Sequence, residues 1–332
     1  MTEFARLAEL YRGPALESLH HGVVAVADAD GKLVFTRGDP DFVTFPRSSL
    51  KPFQAIALVE SGAADASGLT PAHIALACAS HHAQEFQVAM VRDWLTRLEL
   101  PESALVCSPA LPQGQADMAA VLCSGGGPSR VFHNCSGKHC GFLTLARGIG
   151  APAEGYDRPG HATQRMFLDA FSELLGRDAA ALPQGVDGCG LPALALPVAD
   201  MARAAARFAS QRVAGAGRAQ AIGRILGAMA AHPDHISGRD LPTERLVHAT
   251  GGRVVLKGGA EGFCLAFVPE RGWGIAIKLA DGASRAKMAV LVGVLAELGI
   301  IERDAAPALM ARVEAPILES NGRQAGRLQV TL

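Results

Sequence analysis

Two short apolar runs in the last third of the chain determine the predicted fold. Residues 262–279 have the sequence Gly-Phe-Cys-Leu-Ala-Phe-Val-Pro-Glu-Arg-Gly-Trp-Gly-Ile-Ala-Ile-Lys-Leu. Two such runs, joined by a segment that contains Pro and Gly, are typical of a β-hairpin. Residues 253–257, Arg-Val-Val-Leu-Lys, predict a further strand before it. Residues 281–284, Asp-Gly-Ala-Ser, predict the start of a long helix that ends at Leu298.

A second hairpin is predicted near the other end of the chain. Residues 22–36 contain two apolar runs on either side of the turn sequence Asp-Ala-Asp-Gly. Residues 107–130 are rich in Pro, Gly and Ser, and predict a long loop with a short helix. Apolar residues at helical spacing fill most of the chain between the two hairpins. The ranges that predict helices are 49–60, 71–79, 85–98, 160–175 and 199–231.

The order of strands, helices and strands indicates how the chain is organised. It predicts an α/β (α+β) protein, in which both ends of the chain build one antiparallel sheet and a helical insertion lies between them. We expect residues 1–332 to form a single unit. Within it, sheet regions are expected at 15–50 and 250–332, and a mostly helical region at 51–249.

Composition excludes several classes of protein. Of the 332 residues, 49% are hydrophobic and 19% are charged, so the chain can bury a large core and is not mainly disordered. Lys and Arg number 31, and Asp and Glu number 32, so we expect no nucleic-acid or membrane partner. The longest apolar run, residues 288–296, is too short to span a bilayer.

Cysteine and lysine usage bear on compartment and chemistry. The chain has seven cysteines, an odd number, and its first residues, Met-Thr-Glu-Phe-Ala-Arg, lack the apolar core of a secretory signal. We therefore expect a cytoplasmic protein with buried, metal-bound or reactive thiols. Lysine is scarce, with six residues against 25 arginines. Because arginine cannot supply a neutral amine, each lysine is a candidate for chemistry.

The first candidate for catalysis is a Ser-x-x-Lys sequence at a predicted helix start. Ser48 and Lys51 are three residues apart and would share a helix face. A desolvated lysine at a helix N-terminus can act as a general base for a serine nucleophile. The spacing alone is not diagnostic, because Ser284 and Lys287 share it. We interpret that second pair as an N-cap and a solvated lysine.

The second candidate is Lys257, which two glycines follow at the end of a predicted strand. Glycines at this point allow a substrate backbone to come close. A Ser-x-x-Lys sequence, a later serine after a helix and a Lys-x-Gly strand occur in this order in serine β-lactamases and penicillin-binding proteins. Here the middle element is Ser80-His-His rather than Ser-x-Asn, so the match is partial.

Two glycine-flanked segments carry thiols. Residues 133–140 have the sequence His-Asn-Cys-Ser-Gly-Lys-His-Cys, and residues 186–192 have the sequence Val-Asp-Gly-Cys-Gly-Leu-Pro. Three interpretations stay open on residue types alone: a zinc site, a nucleophilic thiol at Cys135, and small buried thiols packed with histidine. An acid in the second segment, Asp187, could orient a substrate amine or a histidine. The zinc ligands suggested by residue type are Cys135, either His139 or Cys140, and Cys189.

Five motifs in order resemble a known family. They are residues 47–54 (Arg-Ser-Ser-Leu-Lys-Pro-Phe-Gln), 79–82 (Ala-Ser-His-His), 133–139, 187–192 and 257–262 (Lys-Gly-Gly-Ala-Glu-Gly). Together they resemble the Rhizobium etli type, or class 3, L-asparaginases of the "asparaginase II" family. The resemblance extends from about residue 18 to residue 330.

The resemblance implies a fold, an assembly and a reaction. It implies a catalytic unit with a serine β-lactamase- and glutaminase-like fold, a homodimer, and hydrolysis of L-asparagine to L-aspartate and ammonia. It also implies two Ser-Lys tandems, a zinc ion held by two cysteines and a lysine, and a substrate pocket. The residues that carry these roles are Ser48 with Lys51 and Ser80 with Lys257 in the tandems; Cys135, Lys138 and Cys189 at the zinc; and Arg47, Asn134, His139 and Asp187 in the pocket.

Three other functions remain as alternatives. A penicillin-binding protein or β-lactamase-like serine hydrolase would share the fold and react with penicillin. A glutaminase would differ only in the size of its pocket. A non-catalytic zinc-binding protein would bind metal without amidase activity.

Overall fold

Seven antiparallel strands form the main sheet in the described part of the chain. The computed structural model describes residues 3–314 and 316–332. The strands of the main sheet follow the order β11-β1-β2-β10-β9-β8, and β3 pairs with β2 as well. The eleven strands of the described residues are β1 (Ala5–Arg12), β2 (Ala15–Ala27), β3 (Leu33–Arg37), β4 (Val43–Thr44), β5 (Gln184–Val186), β6 (Pro192–Leu194), β7 (Leu196–Pro197), β8 (Val255–Gly258), β9 (Phe263–Val268), β10 (Trp273–Leu279) and β11 (Gly326–Val330).

Helices occupy most of the chain between the two sets of strands. Pro52 lies in the first turn of the helix that starts at Lys51, where its missing N–H costs no hydrogen bond. Short 3₁₀ turns occur as well, among them Arg47–Leu50 directly before that helix. The α-helices of the described residues are α1 (Lys51–Glu60), α2 (Ala63–Ala66), α3 (Pro71–Ala77), α4 (Glu85–Arg97), α5 (Gln115–Cys123), α6 (Ser136–Gly148), α7 (Ala162–Leu175), α8 (Val198–Ala209), α9 (Ala216–Ala231), α10 (Pro233–Ile236), α11 (Pro242–Ala249), α12 (Lys287–Glu297) and α13 (Ala306–Val313).

Both predicted hairpins are confirmed. Strand β9 pairs with β10 around the Pro-Glu-Arg-Gly turn, with Trp273 opposite Val268. Strand β2 pairs with β3 around the Asp-Ala-Asp-Gly turn. All residues of β9 are buried, and so are all but the first of β10, which explains why these runs are apolar without alternation. The antiparallel sheet built from both chain ends is therefore confirmed as well.

Two predicted helices differ from the structure. The range 199–231 holds two helices, α8 and α9, because the chain turns at residues 210–215 and Gln211 adopts a positive φ of 54°. Helix α12 begins at Lys287 rather than at residues 281–284, so the prediction of Ser284 as its N-cap is wrong. The N-cap residue is Ala286, and a carboxylate oxygen of Glu314 accepts a hydrogen bond from the Ala289 N–H in the first turn.

The chain divides into two compact units. The first contains residues 1–49, 196–210 and 241–332, and it holds the main sheet with α8, α11, α12 and α13. The second contains residues 50–195 and 211–240, and it holds the other α-helices and the β5–β6 hairpin. Within the residues that the structure describes, no helix combines the length and the hydropathy that crossing a membrane requires.

Candidate active site

Ser48 lies on a strained turn of the first unit. The residue before it, Arg47, has a φ of 54°, in the left-handed region that costs a residue with a side chain about 1–2 kcal/mol. A 3₁₀ turn over Arg47–Leu50 follows at once, and both Arg47 and Ser48 are half-buried. Strain of this kind is concentrated at functional sites, where surrounding contacts hold it in place.

Lys257 lies on a strand that packs against this turn. The Ser49 hydroxyl donates a hydrogen bond of 2.8 Å to the carbonyl of Lys257. The Lys257 side chain is buried, and its Nζ donates to the carbonyl of Gly258 at 2.6 Å. A Cβ on Gly259 would overlap the carbonyl of Pro46 and lie 3.0 Å from the Ser49 hydroxyl. Gly259 therefore permits close contact between the end of this strand and the turn. Ser49 is a positioning residue that sequence analysis missed.

Lys287 is not the solvated lysine that sequence analysis predicted. It is half-buried at the start of α12, and its Nζ donates to the carbonyl of Gly259 at 3.3 Å. Its i−3 partner, Ser284, is exposed. Lys287 therefore belongs to the turn that follows Lys257, a contact that only the packing of α12 on the sheet creates.

Lys51 is buried in the first turn of α1, in the second unit. Its Nζ donates a hydrogen bond of 2.9 Å to the Ser80 hydroxyl and another to the carbonyl of Ala79. Only 1% of Lys51 is exposed, so its amine has protein oxygens in place of water. The structure thus pairs Lys51 with a serine of the other expected tandem, and the Ser48–Lys51 pair stays a prediction.

Backbone hydrogen bonds hold Ser80 and its neighbours on both sides. The Ser80 N–H donates to the carbonyl of Ile236 at 2.9 Å, and the His82 N–H donates to the carbonyl of Ser237 at 2.8 Å. The His81 N–H donates to the carbonyl of Asn134 at 3.1 Å. The segment that carries Ser80 is therefore tied to residues 236–237 and to the thiol-bearing segment at 133–140.

His81 is a buried neutral histidine that orients this segment. Its Nδ1 accepts a hydrogen bond from the Ala83 N–H at 3.1 Å, so its proton is on Nε2, which donates to the Ser136 hydroxyl at 2.7 Å. The Ser136 hydroxyl in turn donates to the carbonyl of Val131. Burial, with the nearby charge of Lys51, lowers the pKa of His81 to about 3. His81 is therefore a structural link and not a proton carrier near neutral pH.

Two thiols and an amine meet at the start of α6. The Lys138 Nζ donates to the Cys189 sulfur at 2.8 Å, and the Cys135 sulfur lies 3.2 Å from Oδ1 of Asn134. A hydrogen bond from Cys189 lowers the pKa of Cys135 well below its usual value, and the charges of Lys51 and Lys138 act in the same direction. Burial opposes the charge on Lys138, but the sulfurs raise its pKa above its usual value.

Close packing of α6 fixes the position of these groups. A Cβ on Gly137 would lie 2.5 Å from the carbonyl oxygen of Leu76 in α3, so only glycine fits there. Because Cys135 is the N-cap of α6, the side chain three residues later, Lys138, faces the thiols. Burial raises the pKa of Cys140, which favours its neutral thiol. The structure thus brings Lys138 to Cys189, and the choice among Lys138, His139 and Cys140 as a zinc ligand stays a prediction.

Cys189 lies at the tip of a small hairpin. Strands β5 and β6 pair on either side of it, and the Asp187 N–H donates to the carbonyl of Leu191 at 2.9 Å. Gly190 has a φ of 90°, which a residue with a side chain rarely adopts. The Asp187 carboxylate is half-buried and adds to the negative charge that Lys138 faces.

His139 is fully buried and has one ring nitrogen without a partner. The Val106 N–H donates to the Tyr156 hydroxyl at 3.0 Å, and that hydroxyl oxygen lies 2.7 Å from Nδ1 of His139, within hydrogen-bond distance. The other ring nitrogen, Nε2, has no hydrogen-bond partner among the described residues. Burial lowers the pKa of His139, so the ring is neutral. Tyr156 was not identified from sequence, because nothing local links it to residue 139.

The thiol cluster suits a zinc ion chemically. Thiolates are strong zinc ligands, and a neutral amine can join them. Three side chains, Cys135, Lys138 and Cys189, are buried and linked by hydrogen bonds. Zinc binding displaces the protons of such groups. The donor set therefore fits zinc, with the lysine neutral in the bound state.

The predicted site residues fall in both units. The first unit holds Arg47, Ser48 and Lys257. In the second unit, hydrogen bonds and short-range charge interactions connect one group of side chains from α1 to the β5–β6 hairpin. That group consists of Lys51, Ser80, Asn134, Cys135, Lys138, Asp187 and Cys189, and His139 is adjacent to it in α6.

The sequence match to a family covers almost the whole chain. A profile of the L-asparaginase II family matches residues 8–330. The chain belongs to the L-asparaginase II family. Membership agrees with the resemblance seen in the five motifs, and among curated proteins no sequence matches this L-asparaginase II family member.

Solved structures show more distant similarity to this member of the L-asparaginase II family. The native form of Mglu matches 84% of this chain and 64% of its own, with 15% identity and a TM-score of 0.47. Mglu in its L-glutamate binding form matches 84% and 60%, with 17% identity and a TM-score of 0.47. A β-lactamase from Mycobacterium bovis matches 83% and 94%, with 15% identity and a TM-score of 0.36. The chain thus spans less than two thirds of the length of Mglu, and likeness this distant adds nothing to the topology described above.

Proposed function

We propose that this chain is an L-asparaginase of the Rhizobium etli type, which hydrolyses L-asparagine to L-aspartate and ammonia by Ser-Lys catalysis. The observation that carries the proposal is the buried Nζ of Lys51, which donates to the Ser80 hydroxyl at 2.9 Å in a chain of the L-asparaginase II family. A buried lysine bonded to a serine hydroxyl can exchange protons with it, as the proton relay of a Ser-Lys hydrolase requires.

In the proposed reaction, Ser48 is the nucleophile. Lys51 acts as the general base and takes the hydroxyl proton of Ser48 as the oxygen attacks the side-chain amide carbon of asparagine. The carbon–nitrogen bond then breaks, and the proton goes from Lys51 to the departing ammonia. Water attacks the resulting aspartyl ester, returns a proton to Ser48 through Lys51, and releases aspartate. Ser80 relays protons because its hydroxyl is bonded to Lys51.

The other predicted residues bind and orient the substrate. Four side chains hold the carboxylate and amine of asparagine. They are Arg47, which is next to the nucleophile in the chain, Asn134, His139 and Asp187. The unpartnered Nε2 of His139 is available to hydrogen-bond the substrate. Lys257 supplies a second positive charge. Cys135, Lys138 and Cys189 would hold a zinc ion, which, when bound, positions a substrate carboxylate or amine and orders residues 133–140. The homodimer and the cytoplasmic location stay predictions.

Ammonia release tests the proposal directly. Asparagine, glutamine and a neutral amide are compared as substrates for the wild type and for Ser48→Ala, Lys51→Ala and Ser284→Ala. We expect asparagine to be preferred, the first two variants to lose at least about 10³-fold in kcat with unchanged thermal unfolding, and Ser284→Ala to match the wild type. Ser284 is the matched control, since it begins the other Ser-x-x-Lys sequence and is exposed.

Other outcomes would assign the chain differently. Near wild-type turnover by Ser48→Ala would move the nucleophile to Ser80. Preference for glutamine would indicate a glutaminase. Acylation by penicillin without amidase activity would support the β-lactamase-like alternative. Bound zinc without any amidase activity would leave a metal-binding protein.

A further inference from the structure

A second group of metal-binding side chains lies outside the residues assigned above. His232, Asp234 and His235 each offer one ligand atom, and these three atoms all lie within 4.8 Å of one another. His232 and Asp234 are half-buried, so water can reach the group. The group has no thiol, and its chemistry therefore differs from that of Cys135 and Cys189.

The backbone places these side chains together. Helix α9 ends at Ala231, and Pro233 begins α10, so His232 is the cap residue of both helices. The His235 N–H donates to the carbonyl of His232 at 3.1 Å, which closes a tight turn. Residues three apart in such a turn face the same side, and the two imidazole centroids are 5.5 Å apart.

The observed distances suit a shared cation. Nδ1 of His235 lies 2.8 Å from Oδ1 of Asp234, and the same carboxylate oxygen accepts from the His235 N–H at 3.0 Å. Two ligands at about 2.1 Å from an octahedral ion are about 3 Å apart, so an ion can replace the proton between them with little movement. No hydrogen bond of the His232 ring occurs within residues 3–314 and 316–332, which leaves its nitrogens available.

The neighbouring guanidinium of Arg239 does not take the position proposed for a metal ion. The Arg239 Nε is 3.6 Å from the other carboxylate oxygen of Asp234, which is a long ion pair. The Arg239 guanidinium instead lies over the ring of Phe86, at 4.2 Å from its centroid. Oδ1 of Asp234, which carries the two contacts with His235, is therefore not paired with Arg239, and an ion can take the place of the proton between it and Nδ1 of His235.

We propose that His232, Asp234 and His235 bind a first-row divalent cation such as Zn²⁺, whose remaining positions are filled by water. Two imidazoles and a carboxylate suit zinc, cobalt and nickel better than calcium or magnesium. The ion stiffens the segment that ends in Ile236, whose carbonyl accepts the hydrogen bond of the Ser80 N–H. The proposal does not depend on the reaction assigned above.

Zinc counting tests the site. Metal-depleted wild type, His232→Ala and His248→Ala are dialysed to equilibrium against Zn²⁺, and bound metal is measured by atomic absorption. We expect His232→Ala to bind one equivalent less than the wild type. His248 is an exposed histidine of α11, outside the group, and its variant should bind as much as the wild type. Equal zinc in wild type and His232→Ala would overturn the proposal.

Cobalt distinguishes the two kinds of site. Co²⁺ bound by thiolates gives a strong sulfur-to-cobalt charge-transfer band, whereas Co²⁺ bound by imidazole and carboxylate gives only weak d–d bands. We expect His232→Ala to lose d–d intensity and to keep any thiolate band that the wild type shows. Loss of the thiolate band would mean that His232 acts on the cysteine cluster instead. His235→Gln, compared in the same way, repeats the test if His232→Ala does not fold.

Discussion

Lysine is the residue type whose placement is most informative. Four of the six lysines are buried, namely Lys51, Lys138, Lys257 and Lys278. Burial of an ammonium group is costly unless hydrogen bonds or charges compensate it, and each of the four donates to a protein atom. The scarcity of lysine in the sequence predicted chemistry for Lys51, Lys138 and Lys257; the structure buries and hydrogen-bonds all three, and their chemical roles stay predictions. It did not single out Lys278, whose pKa burial lowers and whose Nζ donates to the carbonyl of Glu261.

At the residue scale, the lowered pKa of His81 predicts how the unfolding free energy changes at acidic pH. Its pKa is lowered to about 3 in the folded protein, so between pH 6.5 and 3 the unfolded chain binds a proton that the folded chain does not. Folding is therefore stabilised above pH 6.5, and this contribution is lost as the pH falls. We expect His81→Gln to remove about 1.4 kcal/mol per pH unit from the slope of the unfolding free energy over that range.

Denaturant titrations at several pH values measure that slope. His248→Gln, which changes an exposed histidine, should leave it unchanged. A His81→Gln slope equal to that of the wild type would mean that His81 is already charged in the folded protein.

At the element scale, small residues let helices and strands approach closely. A Cβ on Gly274 in β10 would overlap the backbone of α8 at Ala202 and Ala206. The many buried alanines of α8 thus form the face that packs on the sheet. Helix α9 has an exposed glycine, Gly227, with nothing near the position of its Cβ.

These two glycines make a matched pair. Gly274→Ala should lower the unfolding free energy by about 2 kcal/mol or more, because backbone atoms cannot move aside. Gly227→Ala should raise it by about 0.5–1 kcal/mol, because alanine favours the helix and meets no neighbour. Thermal unfolding of both variants gives the comparison. A Gly274→Ala protein as stable as the wild type would show that α8 does not lie as close to β10 as described.

At the scale of the whole molecule, the two ends of the chain close one side of the main sheet. Strand β1 pairs with β11 from Ala8 opposite Val330 to Arg12 opposite Gly326. The Thr331 N–H donates to the carbonyl of Leu7 at 3.0 Å beyond that ladder. Strand β1 is thereby covered on both sides, by β2 and by β11.

Removal of residues 326–332 should therefore have a large effect. It would expose the backbone edge of β1, which can then pair with other chains. We expect a lower unfolding temperature and aggregation that increases with protein concentration, measured by calorimetry and gel filtration. Gln329→Ala, which keeps the strand and changes an exposed side chain, should behave as the wild type. A truncated chain with unchanged stability and elution would mean that β11 adds little to the sheet.

The sequence by itself determined the two hairpins, the helix at Lys51 and the motifs that carry the candidate site, because these depend on turn residues, spacing and capping within a few positions. Tertiary structure decided which side chains meet. It bonded Lys138 to Cys189 and Lys51 to Ser80, placed Lys287 on the turn after Lys257, and paired β1 with β11. Each of these contacts joins residues far apart in the chain. Their free energy comes from burial and close packing, which local sequence patterns do not encode.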